Sequence, residues 1–188
     1  VSGGRDATPA LAPHARSRHV VLVGLPGAGK TTIGRRVAQA LRRRFIDLDV
    51  EIERRSGRTV AAIFAGDGEA GFRRLEHEAT AALVGAAPAV IAPGGGWATQ
   101  APSVALLRPH ALLVHLAVSP EVALVRLGAG IALRPLLAGA DPLAELRRLA
   151  TERRAAYAGA DGEVDTELLD PKEVVNAVLE LVSVGRPA

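Results

Sequence analysis

The chain has 188 residues, 48% of them hydrophobic and 23% charged, which suits one well-cored domain and is short for two. It contains no cysteine, so a disulfide scaffold, a zinc knuckle, an iron–sulfur centre and a thiol nucleophile are all excluded. Of the net charge of +3, two charges come from the first 19 residues, where Arg5, Arg16 and Arg18 oppose only Asp6; the remainder holds 20 basic against 19 acidic side chains, and with 3% aromatics overall no nucleic-acid partner is expected.

Residues 1–18 mix Ser, Gly, Pro, Ala and Arg without periodicity and read as a disordered tail. No apolar segment of the secretory kind follows their charges, so a cytoplasmic location is expected. His19 to Val23 forms the first apolar run and the first predicted strand. Ile33, Val37 and Leu41 then recur at four-residue spacing, the pattern of a helix with one buried face. Phe45 to Leu48 predicts a second strand, the stripe of Leu75, Ala79 and Leu83 another helix, and Ala89 to Ala92 a third strand. Ala111 to Leu116 and a weaker Glu163 to Thr166 complete five strands, and Val174, Val178 and Val182 mark a last helix. The longest apolar runs fall far below the roughly 18 residues of a membrane-spanning helix, so no membrane partner is expected. Strands alternating with helices predict an α/β fold, a parallel sheet covered on both faces, in a single domain over 19–185.

Gly24-Leu25-Pro26-Gly27-Ala28-Gly29-Lys30-Thr31 fits G-x-x-x-x-G-K-[ST] between the first strand and the first helix. Glycines let the backbone wrap a phosphate, and the helix start adds partial positive charge. Lys30 is one of only two lysines among the 23 basic residues. It is expected to reach the β and γ phosphates of a nucleoside triphosphate, with the hydroxyl of Thr31 on Mg²⁺. Gly27, Ala28, Gly29 and Thr32 complete the expected cradle.

Asp47 and Asp49, two apart at the end of the second strand, are expected on one side of an extended segment facing the cradle. One would serve Mg²⁺ and the other a substrate hydroxyl; the alternative for Asp49 is to cap a helix over 50–55. No acid ends the third strand, which favours Asp47 for the metal. That strand runs into Gly94-Gly95-Gly96, either a bare backbone for close ligand approach or a flexible turn. Arg73, placed after a Gly-rich turn at Gly71, Arg134 and Arg153 are candidate forks for carboxylate or phosphate, with solvated surface as the alternative for each.

In order, the P-loop, Phe45-Ile46-Asp47-Leu48-Asp49, Gly68-Glu69 with Phe72-Arg73 and Glu76, Gly94-Gly95-Gly96, Arg134-Pro135-Leu136-Leu137, Arg153 with Tyr157, and Val164-Asp165-Thr166 resemble the shikimate kinases. The resemblance implies a nucleoside-monophosphate-kinase-like fold of strand order 2-3-1-4-5. It places a substrate-binding region near residues 49–77 and a mobile lid near 127–141, in which Gly128, Gly130 and Gly139 surround Arg134. It implies transfer from ATP, with Mg²⁺, to the 3-hydroxyl of shikimate in aromatic amino-acid biosynthesis, by a monomer. Asp49 would contact the acceptor hydroxyl, Thr31 and Asp47 the metal, and Arg73 and Arg153 the substrate carboxylate. Gly94, Gly95 and Gly96 would line the substrate, Glu76 support its pocket, Arg134 reach the transferring group and Arg126 lie against adenine.

Pro93 and Trp97 depart from the family pattern beside the acceptor pocket, and the indole either narrows that pocket or packs at a strand exit. His77, His110 and His115 lack metal-ligand spacing and read as structural. Two other readings compete: a kinase for another hydroxy acid such as gluconate, and a non-catalytic ATP-binding regulatory module.

Overall fold

The computed structural model describes residues 17–133, Leu137 and 141–184. Five strands, β1 (His19–Val23), β2 (Arg44–Asp47), β3 (Ala89–Ala92), β4 (Ala111–Ala117) and β5 (Gly162–Asp165), form one parallel sheet in the order β2-β3-β1-β4-β5. The apolar runs therefore located every strand to within a residue, and the expected order holds.

Side chains of a strand alternate between its faces, and β1 shows what this does to the core. Val21 and Val23 join one apolar layer with Ile63, Phe72 and Leu146, while Val20 and Leu22 join the opposite layer with Ile33, Val37 and Val178. The second layer is closed by α1 (Lys30–Leu41) and by α7 (Pro171–Val184), whose stripes at Ile33, Val37 and at Val174, Val178, Val182 are buried as their spacing predicts. The first layer is covered by α2 (Leu48–Ser56), α3 (Val60–Ala81), α4 (Ala101–Leu107), α5 (Pro120–Leu127) and α6 (Pro142–Ala158). Thr59 and Ser119 cap α3 and α5 through their side-chain oxygens, and a proline occupies the first turn of α5 and of α6, where its missing N–H costs nothing.

Two local expectations change. Asp47 ends β2, but Asp49 already lies in the first turn of α2, so the two carboxylates do not share one side of an extended segment. Asp49 does not cap that helix either: its N-cap position is Asp47, which makes no side-chain capping bond. The chain also breaks at Gly68 (φ 67°, ψ −172°) rather than at Gly71, which is a buried helical residue. Gly68 adopts a positive φ that other residues resist, and the resulting kink turns Glu69, Arg73 and Glu76 onto a new helical course. Of the expected lid, Gly128–Leu133 forms a 3₁₀ turn and Leu137 is buried; Arg134 and the rest of 134–136 and 138–140 lie outside the described residues, as does most of the expected tail.

His19, buried at the start of β1, ties down the segment between α3 and β3. Its Nδ1 accepts from the Ala89 N–H at 3.0 Å, which leaves Nε2–H to donate to Leu83 O at 3.0 Å. Burial lowers its pKa below the ordinary 6.5, so this bonding pattern belongs to the neutral ring.

Candidate active site

A cleft of about 490 Å³ opens at the carboxyl ends of the strands, where ligands of open parallel sheets bind. Gly27, Ala28, Gly29, Lys30, Thr31 and Thr32 form one wall. Gly29 sits at the N-cap of α1 with φ 88°, and no side chain caps that helix or places an acid in its first turn. The first helical bond runs from Ile33 N–H to Gly29 O at 2.8 Å, so the N–H groups of Lys30, Thr31 and Thr32 have no carbonyl partner within the helix. These donors, with the helix dipole, make an anion site. Lys30 Nζ donates to the loop carbonyls of Gly24 (2.8 Å) and Leu25 (3.0 Å), which holds the cation at the mouth of the cradle.

Thr31 Oγ1 donates to Asp47 Oδ2 at 3.2 Å, and both residues line the cleft. Two hard oxygens beside a phosphate cradle fit Mg²⁺, which takes few protein ligands and completes its shell with phosphate and water. Arg126 donates to Thr166 Oγ1 (2.8 Å) and Thr166 O (2.5 Å) and lines the cleft together with Leu169, Pro171 and Val174. A flat cation edge with apolar neighbours suits a purine ring.

The acceptor side is built around Gly94-Gly95-Gly96, and each glycine faces a polar side chain where a Cβ would stand. That position at Gly94 lies 3.0 Å from Asp49 Oδ1 and 3.6 Å from Glu76 Oε1, and at Gly95 it lies 2.6 Å from Arg153 Nη1. At Gly96 it falls directly on the guanidinium of Arg73. Bare backbone is thus required for three elements, α2, α3 and α6, to converge their charged groups on one turn. Glu76 and Arg153 are buried, and Glu76 Oε1 and Arg153 Nη1 have no hydrogen-bond partner, a costly condition that a polar ligand would relieve.

Arg73 is held by two carboxylates, Glu76 Oε2 at 2.8 Å from Nη1 and the exposed Glu69 at 3.0 Å from Nη2. Burial would lower the Arg73 pKa, but these two acids outweigh it and raise it. Glu76 is fully buried, and burial pushes its carboxyl up to about 7 against the pull of Arg73, with the charge of Asp49 adding to the rise. The acceptor side therefore combines two arginines, one acid that also lines the cleft and one acid poised near neutrality.

Trp97 is fully buried and donates from Nε1 to Thr80 Oγ1 at 3.0 Å, so the indole packs at the strand exit; Arg73, Glu76, Gly96 and Arg153 adjoin the cleft without lining it. Pro93 does line the cleft. Sequence reading missed Leu169, Pro171 and Val174, which look like an ordinary helix start, and missed the link from the Tyr157 hydroxyl to Gly95 O at 3.1 Å. It also missed Glu69 as a partner of Arg73, although their four-residue spacing on a helix was a usable signal.

Known proteins resemble this chain over most of its length. Residues 26–183 match the family model described as shikimate kinase. The shikimate kinase of Symbiobacterium thermophilum is 43% identical over 164 residues, covering 86% of this chain and 94% of the relative. Among solved structures, the shikimate kinase of Acinetobacter baumannii in complex with shikimate superposes with a TM-score of 0.84 at 35% identity, over 91% of this chain and 96% of that one. A gluconokinase from Sinorhizobium meliloti reaches only 0.59 at 16% identity, over 90% and 93%, a likeness of fold alone. The family-model match over residues 26–183, together with 43% identity to a relative covered almost end to end, shows that the chain belongs to the shikimate kinase family.

Proposed function

We propose that the enzyme transfers the γ-phosphoryl group of ATP to the 3-hydroxyl of shikimate. The observation that carries this reading is the polarity of the acceptor pocket. Arg73 and Arg153 approach Gly96 and Gly95, fit for a carboxylate, while Asp49 stands at Gly94 on the side of the phosphate cradle. A ring bearing a carboxylate at one end and hydroxyls at the other suits that spacing. The family match supports a transferring enzyme over a regulatory nucleotide-binding module, and the gluconokinase likeness, confined to the fold, gives no support to gluconate.

Phosphoryl transfer demands positioning and charge neutralisation more than covalent chemistry. In this reading the α1 amides and Lys30 hold the β and γ phosphates in line with the acceptor. Thr31 and Asp47 would hold Mg²⁺, which would supply further charge neutralisation when bound. Asp49 accepts the hydroxyl proton as the acceptor oxygen bonds to phosphorus and the bond to the β,γ-bridging oxygen breaks, its electron pair leaving with ADP. Arg126 seats the base, and Arg134, outside the described residues, is assigned to the transferring group by family resemblance. Arg73 and Arg153 bind the carboxylate, and Glu76 keeps Arg73 aimed at it.

Among the described residues no helix is long and apolar enough to cross a membrane. The reading extends to a cytoplasmic monomer with a small-molecule substrate and no nucleic-acid or membrane partner, supported by the family resemblance and checked by light scattering at enzyme-assay concentrations. The role of Asp49 is tested by Asp49→Asn, for which shikimate-dependent ADP release is expected to fall at least about a hundredfold with ATP affinity retained. Retention of turnover in that variant contradicts the assignment.

A further inference from the structure

Tyr157 has no part in the chemistry above, yet its position is exacting. It is 5% exposed, its ring stacks on His115 at 4.6 Å between centroids and 16° between planes, and its hydroxyl donates to Gly95 O at 3.1 Å. A phenylalanine would fill the same space, so what the phenol adds is its hydroxyl, which donates to Gly95 O and also interacts with the side chain of Arg153. The bond falls on a particular peptide. Trp97 N–H donates to Gly94 O at 3.0 Å, closing a four-residue turn with Gly95 and Gly96 as its central pair, and Gly96 at φ −88°, ψ −9° makes it type I.

A turn with glycine at its second central position has a second option of similar energy. Rotating the central peptide by about half a turn gives type II, which requires a positive φ that glycine provides without steric penalty. The carbonyl of Gly95 and the N–H of Gly96 belong to that peptide and point in opposite directions. A flip would therefore exchange the Gly95 carbonyl for the Gly96 N–H on the side that faces Tyr157, and would move the backbone over which Arg153 Nη1 is packed. The bare glycines needed to admit Arg73 and Arg153 leave the turn conformationally ambiguous, and the Tyr157 hydroxyl removes the ambiguity.

We propose that Tyr157 is a positioning residue: its hydroxyl latches the Gly95–Gly96 peptide in the type I orientation that presents the glycine turn and Arg153 to the acceptor carboxylate. Tyr157 lies one helical turn beyond Arg153 on α6, so one rigid element sets both the binding cation and the backbone against which it works.

The inference rests on the shikimate reading for its effect on affinity, but the latch itself can be observed without any ligand. The test is Tyr157→Phe. In ligand-free protein, ¹⁵N relaxation dispersion is expected to show microsecond-to-millisecond exchange at the Gly96 amide that wild type lacks. Titration followed by the fluorescence of Trp97, the single tryptophan, is expected to show shikimate affinity reduced about fivefold, the worth of one hydrogen bond, with the shikimate KM raised alike and the ATP KM unchanged. His115→Phe, which keeps a stacking ring and the Tyr157 hydroxyl, is the control and is expected to leave both readouts at wild-type values. A Gly96 amide without new exchange in Tyr157→Phe, or a shikimate affinity equal to wild type, overturns the latch, even if the melting temperature falls. Failure of the wild-type protein itself to bind shikimate contradicts the function proposed above, and the Gly96 exchange still decides the latch.

Discussion

Replacing Glu76 by glutamine removes a titration that should dominate how this fold responds to pH near neutrality. The Glu76 carboxyl is fully buried, and burial moves it from an ordinary 4.5 up to about 7 in spite of the Arg73 guanidinium 2.8 Å away. Between those two values the unfolded chain has released this proton while the folded protein keeps it, so folding takes up a proton and stability falls as pH rises. The contribution is complete below about 4.5 and lost above about 7. A change of that size corresponds to about 3 kcal/mol. Other acids titrate with the opposite sign; Glu51, held by Arg54 and Arg55, lies near about 2. The difference between wild type and Glu76→Gln isolates the effect. Urea unfolding of both proteins from pH 4.5 to 8 should show wild type losing about 3 kcal/mol relative to the variant across the interval. Parallel stability curves would refute the reasoning. The same group predicts that shikimate binding, which brings a third carboxylate to Arg73, takes up protons near pH 7, visible as a calorimetric heat that depends on the buffer.

Three further expectations follow from the geometry. Gly96→Ala keeps an allowed backbone, since φ is −88°, but puts a methyl group on the Arg73 guanidinium; shikimate affinity should fall at least about tenfold in the fluorescence titration while ATP affinity holds. Trp97→Phe loses the bond to Thr80 and leaves a cavity where part of a fully buried indole stood, and should cost about 2–3 kcal/mol in urea unfolding with shikimate KM within about twofold of wild type; a large KM change would place the indole in the pocket after all. His19, neutral and buried, has a folded pKa below its unfolded 6.5, so its contribution is present above 6.5 and lost as pH falls through the folded value; the protection factor of the Ala89 amide should fall over that acid range and hold constant between pH 7 and 8.

The parts of this enzyme legible in its sequence are those governed by local pattern. A continuous apolar run located β1, a four-residue stripe located α1, and the P-loop spacing declared a phosphate site because backbone geometry alone builds it. Asp49 and Gly68 were misplaced for the complementary reason. Whether β2 stops at Asp47 or continues to Asp49, and whether a glycine-rich helix breaks at Gly68 or Gly71, depends on packing that a single residue's propensity does not determine. Tyr157 and Gly95 are 62 residues apart, and no periodicity joins them. Trp97 could be read as pocket wall or core until its N–H was seen to end on Thr80.

The most direct test of the account is to incubate the enzyme with ATP and Mg²⁺ and to compare ADP release with shikimate, gluconate, quinate and no acceptor, identifying the product by ³¹P NMR. The account predicts release that depends on shikimate alone and a phosphate monoester on its 3-hydroxyl. Folded protein that binds ATP yet releases no more ADP with shikimate than without it, or that prefers gluconate or quinate, contradicts it.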